Sequence, residues 1–196
     1  MTTSTAPDEG LAPGAEYRIY GPPGTGKTTF LKAQVEKEAR EYGSDAVVVT
    51  SFTKAAAQEL VARDLPIARE HIGTLHALCY RALGAPPVAE GKIQEWNEAC
   101  PIHLRLSGAA PNLDEPETEF HGDTPGDEIF QRLQRLRALR RPRELWPYEV
   151  KAFAEHWDKW KEDTGYIDFT DMIEQSLERL PHCPGQPTSL LVDEAQ

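Results

Sequence analysis

Apolar positions divide the chain into short runs and longer periodic stretches. Residues 46–50 (AVVVT) and 189–193 (SLLVD) are continuous aliphatic runs, the pattern of strands buried on both faces. Residues 17–20 form a shorter β-prone run stopped by Gly21, and a third apolar segment ends near Gly73. Helical stretches are interleaved with them. One runs from Lys27 to about Arg40 and one from Lys54 to about Arg63, ahead of Pro66. Another begins behind Thr74, a candidate N-cap, and reaches about Leu83. Strand–helix alternation of this kind predicts an α/β fold built on a parallel sheet.

The alternation breaks at Gly84. Residues 111–128 hold seven acidic residues, no Lys or Arg, three prolines and two glycines, which reads as a solvated loop. Helical spacing returns at 129–139, where Phe130, Leu133, Leu136 and Leu139 recur every three residues. It returns again at 148–161, where Phe153, Trp157 and Trp160 share a stripe expected to be core. Residues 168–180 form a last helix, closed by Pro181, before the second aliphatic run. The predicted organisation is a disordered tail (1–14), a core made from 15–84 and 165–196, and a mostly helical inserted subdomain (85–164).

Composition narrows the function. A net charge of −11 argues against nucleic-acid binding by global charge, so any such contact must be a local groove. The six arginines of residues 131–143 are a basic island, read either as phosphate contacts or as a solvated face balancing the acidic loop. Cys79, Cys100 and Cys183 are far apart, with no CxxC pair, which fits a reducing cytoplasm. No stretch approaches the roughly 18 apolar residues of a membrane span, and the Thr/Pro/Gly-rich start lacks the features of a secretory signal.

Residues 21–28 read GPPGTGKT, matching G-x-x-x-x-G-K-[ST] with Gly21, Gly26, Lys27 and Thr28 in the fixed places. Backbone N–H groups can converge on phosphate oxygens only where side chains do not block the approach, hence the glycines. The helix that follows presents its positive end to the anion. In this loop, Gly21, Pro22, Pro23, Gly24, Thr25, Gly26, Lys27, Thr28 and Thr29 are the expected nucleotide contacts. Lys27 adds charge near the β and γ phosphates, and Thr28 offers a hydroxyl to Mg²⁺. Downstream, residues 190–196 read LLVDEAQ. An apolar strand delivering two carboxylates to the sheet edge suits a motor site: Asp193 for Mg²⁺ through water, Glu194 to orient or deprotonate the attacking water.

The intervening segments carry a family resemblance. SFTKAAAQEL at 51–60 resembles the superfamily 1 helicase segment T-F-T-N-K-A-A-x-E-M, although Lys54 stands where Asn is common. IGTLHALC at 72–79 resembles V-x-T-F-H-x-x-C, and DFTDMI at 168–173 is similar to D-F-D-D-L. With the phosphate loop and DEAQ these make five segments in the family's order. The chain thus resembles the N-terminal part of the ATP-binding domain of a UvrD/Rep-type DNA helicase. The resemblance implies a RecA-like P-loop sheet, ATP and Mg²⁺, Gln196 among the nucleotide contacts, translocation on single-stranded DNA and duplex unwinding. It also implies DNA contacts from Phe52, Thr53, Thr74 and His76, and a C-terminal helicase portion supplying the second motor domain. The residues before Gly21 contain no glutamine, whereas the family carries an adenine-reading one there. The chain stops at Gln196, inside DEAQ. The expectation is therefore an incomplete sheet, nucleotide binding and slow hydrolysis.

Overall fold

The aliphatic runs become strands wherever a neighbouring strand is present to pair with them. The computed structural model describes residues 16–22, 24–107 and 124–193. In chain order the elements are α1 (Lys27–Tyr42), β1 (Val47–Ser51), α2 (Lys54–Ala62), β2 (Ile72–Thr74), α3 (Leu75–Ala82), α4 (Ile93–Ala99), α5 (Pro125–Ala138), α6 (Tyr148–Thr164), α7 (Phe169–Arg179) and β3 (Ser189–Asp193). The three strands form one parallel sheet in the order β2-β1-β3. The fold is α/β, a parallel sheet with helices between its strands and a mostly helical stretch between α3 and α7.

Residues 17–20 do not become a strand. They lie outside the ladder, with Tyr17 49%, Ile19 55% and Tyr20 83% exposed. A β-prone run needs a partner for its amides. Among the described residues nothing pairs with the far edge of β3, where Leu190 and Val192 stay 47% and 42% exposed.

Pleat parity sorts the sheet residues. Val47 and Val49 of β1 pack with Leu31 and Val35 of α1, Leu60 of α2, Ile72 and Leu191. Odd-numbered positions of β1 and β3 therefore face α1 and α2. The even-numbered Leu190 and Val192 face away from α1, and Val48, fully buried, meets the chain at Gly185.

The insertion has its own buried cluster. Trp96, Phe130, Leu133, Val150, Phe153, Trp157 and Trp160 pack together with Leu104 and Leu106. The expected aromatic stripe of α6 is core, and Trp96 sits edge-on to Trp157 with ring centroids 5.0 Å apart. Leu139 breaks the α5 stripe. The helix ends at Ala138, Arg140 takes a positive φ of 49°, and Leu139 is 58% exposed. The acidic segment also departs from expectation at its end. Thr124 caps α5, its Oγ1 accepting the Asp127 N–H at 3.2 Å while Asp127 accepts the Thr124 N–H at 3.0 Å. Asp127 is wholly buried, so residues 124–128 are the start of a helix and not a solvated loop. The remainder of that segment, and the tail at 1–14, lie outside the described residues.

The insertion is bolted to α7 through a buried ionic cluster. Asp168, fully buried at the N-cap of α7, accepts from Arg137 Nη1 at 2.7 Å, Lys161 Nζ at 2.7 Å and Trp157 Nε1 at 2.9 Å. Arg137 Nη2 also bonds Asp171 and Glu174, each at 2.7 Å. One of the six arginines of the basic island is thus a structural bolt, while Arg135, Arg140 and Arg141 remain on the surface.

Beside this cluster Glu90 is 1% exposed. Its Oε1 accepts the Phe169 N–H at 3.1 Å, and its Oε2 has no hydrogen-bond partner among the described residues. Burial, reinforced by the Asp168 charge, raises its pKa to about 8 from 4.5. A folded pKa above the unfolded one gives stability that is complete below pH 4.5 and is lost as pH rises through 8. Glu90→Gln keeps the acceptor for Phe169 and removes the charge. Its stability relative to the native chain should rise steadily from pH 5 to pH 9 in urea unfolding, by a few kcal/mol. Parallel pH curves for the two proteins would show that Glu90 is not held neutral.

Candidate nucleotide site

The site is assembled by short connections that put one end of α1, α2 and α3 near the sheet's carboxyl edge. α1 ends at Tyr42 and β1 begins at Val47, so the helix runs antiparallel to the strand and its first residue returns to the carboxyl end of the sheet. α2 and α3 begin within three residues of the ends of β1 and β2, on that same edge. Open α/β sheets bind ligands there.

The phosphate loop has the backbone its motif requires. Gly26, the N-cap of α1, has φ 83° and ψ 18°, a left-handed conformation that a side chain would strain. A Cβ on Gly21 would lie 2.6 Å from Thr25 Oγ1, so this position has no room for a side chain while that hydroxyl stays in place. The Thr25 hydroxyl in turn donates to the Pro22 carbonyl at 2.8 Å. α1 starts without a side-chain cap and without an acidic residue in its first turn. The first intrahelical bond runs from the Phe30 N–H to the Gly26 carbonyl at 2.9 Å. The N–H groups of Lys27, Thr28 and Thr29 are therefore left for an anion.

Lys27 occupies that space itself. Its ammonium donates to the Gly21 carbonyl at 2.6 Å and to the Pro22 carbonyl at 3.1 Å. An incoming phosphate would exchange two carbonyl dipoles for a partner of full opposite charge. Pro23 lies outside the described residues.

Asp193 reaches the same place along β3. Ser189, at the strand's start, donates its hydroxyl to Glu38 of α1, which also accepts from Gln34 at 2.6 Å. Four residues further along a strand is about 13 Å, and about nine residues back along a helix covers the same distance. Starting from Glu38, that count ends at Thr29. Parity puts Asp193 on the face of Ser189 and Leu191, so it stands level with the first turn of α1 and on the same side of the sheet. That count puts Asp193 about level with the turn of α1 that carries Thr28, the other expected Mg²⁺ donor. Glu194 and Gln196 lie outside the described residues.

The four expected DNA contacts divide. Thr53 caps α2, its Oγ1 accepting the Ala56 N–H at 3.2 Å. Thr74 caps α3 as its position suggested, accepting the Ala77 N–H at 3.2 Å. Phe52 is 48% exposed at the β1–α2 turn and takes no part in the core. His76 is half-buried, its ring edge-on to Phe169 at 6.0 Å, and burial lowers its pKa, so the imidazole is neutral at pH 7. His76 thus packs between α3 and α7. Arg137, Lys161 and Glu90 carried no motif signal; the partners of Arg137 and Glu90 are 31 and 79 residues away, and Lys161 reads as one more charge of α6.

No helix among the described residues is long and apolar enough to cross a membrane. No curated protein and no solved structure matches the chain. The family described as "AAA domain" matches residues 11–196, from ahead of the phosphate loop to the end of DEAQ. The match spans both the glycine loop and the strand that ends at Asp193, and this chain belongs to the AAA domain family, a P-loop NTPase-type nucleotide-binding domain.

Proposed function

We propose that the chain is the ATP-binding part of a UvrD/Rep-like DNA helicase, coupling ATP hydrolysis to movement along single-stranded DNA and to duplex unwinding. The observation that carries the reading is the shared sheet edge. The phosphate loop and Asp193 serve one end of β3, while Phe52 stands exposed at the end of β1, the adjoining strand. A change at the triphosphate is then one strand away from a base-stacking side chain.

In this reading, ATP is held by the free amides at the start of α1 and by Lys27 released from the loop carbonyls. Thr28 and Asp193 hold Mg²⁺, which neutralises charge on the phosphate oxygens when bound. Glu194 orients the attacking water. Single-stranded DNA crosses the starts of α2 and α3, with Phe52 stacking a base and the helix amides and the Thr53 and Thr74 hydroxyls meeting phosphates. A C-terminal helicase portion completes the motor and supplies the arginines that stabilise the transition state.

The test is ATP turnover with and without single-stranded DNA, on the native chain and on Phe52→Ala. Single-stranded DNA should raise turnover, and Phe52→Ala should weaken DNA binding about 5- to 100-fold, the worth of one stacked base, at unchanged nucleotide affinity. Turnover indifferent to DNA at every concentration would leave a nucleotide-binding module and remove the helicase reading.

A further inference from the structure

Ser51 is the last residue of β1. It stands in register between Thr74 of β2 and Asp193 of β3. In-register neighbours on parallel strands lie about 4.8 Å apart with side chains on one face, here the face that carries α1. Ser51 is 1% exposed, and its hydroxyl has no hydrogen-bond partner among the described residues. Buried hydroxyls are nearly always partnered, and one that is not needs a reason.

The two flanking groups show what is missing. At the other end of the same face, the Ser189 hydroxyl is satisfied by Glu38 of α1. At the carboxyl end the first turn of α1 offers no acidic side chain. Thr74, on the β2 side, accepts the Ala77 N–H in the α3 cap through its Oγ1. On the β3 side the in-register neighbour of Ser51 is Asp193. Thr50 Oγ1 is also buried and unpartnered, but parity puts it on the opposite face.

We propose that Ser51 is a positioning residue for the divalent cation of this site, its hydroxyl completing its bonding with the Asp193 carboxylate or with a water that Asp193 shares with the cation. The proposal rests on the nucleotide-site reading above. Groups that orient a metal's ligands are commonly worth about 10- to 100-fold in metal affinity. A serine that served packing alone would not act in this way, since its hydroxyl makes no hydrogen bond among the described residues.

The experiment titrates a fluorescent ATP analogue into the full chain in EDTA, then titrates Mg²⁺ into the complex, with thermal unfolding in parallel. For Ser51→Ala the expected result is unchanged affinity in EDTA, an apparent Mg²⁺ affinity about ten-fold weaker, and a melting temperature equal to or above the native one. Ser51→Thr, which keeps the hydroxyl, should restore Mg²⁺ affinity, and Thr50→Ala should leave it native. Native Mg²⁺ affinity in Ser51→Ala overturns the proposal. So does an equal loss of nucleotide affinity in EDTA with a lowered melting temperature, which marks a packing role. Lys27→Ala and Asp193→Asn are run alongside. If Lys27→Ala keeps native nucleotide affinity, the site reading itself fails. If both controls lose function as expected while Ser51→Ala does not, only the serine's role fails.

Discussion

Asp168→Ala should destabilise the chain by about 3–5 kcal/mol, the range for removing one partner of a buried ion pair. The carboxylate is fully buried, with the side chains of Arg137 and Lys161 only 9% and 6% exposed. Burial opposes its charge, but Lys161 and then Arg137 overcome that, and its pKa falls to about 2 from 3.8. Deleting it leaves two buried cations sharing Asp171, strips the Trp157 indole of its acceptor, and removes the cap that receives the Asp171 N–H at 2.7 Å. Because the folded pKa is depressed, the contribution is present above pH 3.8 and is lost as pH falls toward 2. The native chain and Asp168→Ala should therefore converge in stability as the solution becomes strongly acid. Asp168→Asn should fall between them at pH 7, since it can still accept hydrogen bonds but carries no charge. Urea unfolding reads all three, and a loss below about 1 kcal/mol for Asp168→Ala would class the cluster with exposed ion pairs.

The same residue shows what the sequence could and could not reveal. DFTDMI was legible as a motif, and Asp168 as the head of a helix, because the cap and the following periodicity are local. The cations it binds were not legible, for Arg137 lies 31 residues upstream and read equally well as a solvated charge or a DNA contact. β1, β3 and α1 were visible for the local reason too, each lying within about two residues of its expected bounds. Residues 17–20 were misread because a strand is a property of two segments: the β-prone letters were there and the partner was not. Residues 124–128 were misread because acidic composition hides that one carboxylate, Asp127, closes a capping box. α4 escaped notice because seven residues with two buried side chains, Ile93 and Trp96, give too little periodicity to see. For the site, the loop and the aspartate were stated from their letters. How far along α1 the strand tip reaches depended on a contact the letters do not show, the bond from Ser189 to Glu38.

That placement bears directly on Lys27. In this structure the ammonium is held by the Gly21 and Pro22 carbonyls, so triphosphate binding must break those bonds before it gains the charge. The gain exceeds the cost because ammonium and phosphate are opposite full charges whereas a carbonyl offers only a dipole, and because a chain of net charge −11 otherwise repels the ligand. Lys27→Ala should therefore weaken ATP binding by about 2–5 kcal/mol, the loss on truncating one partner of a desolvated charge pair, which is roughly 30-fold or more in Kd. Adenosine, having no phosphate for the lysine to meet, should bind both proteins equally. Raising the salt concentration should narrow the difference only partly, because Lys27 is half-buried in the loop and screening acts mainly on exposed charges. The measurement is equilibrium binding of a fluorescent ATP analogue to both proteins. Equal affinities would mean that the ammonium never leaves the loop carbonyls and that the start of α1 alone carries the phosphates.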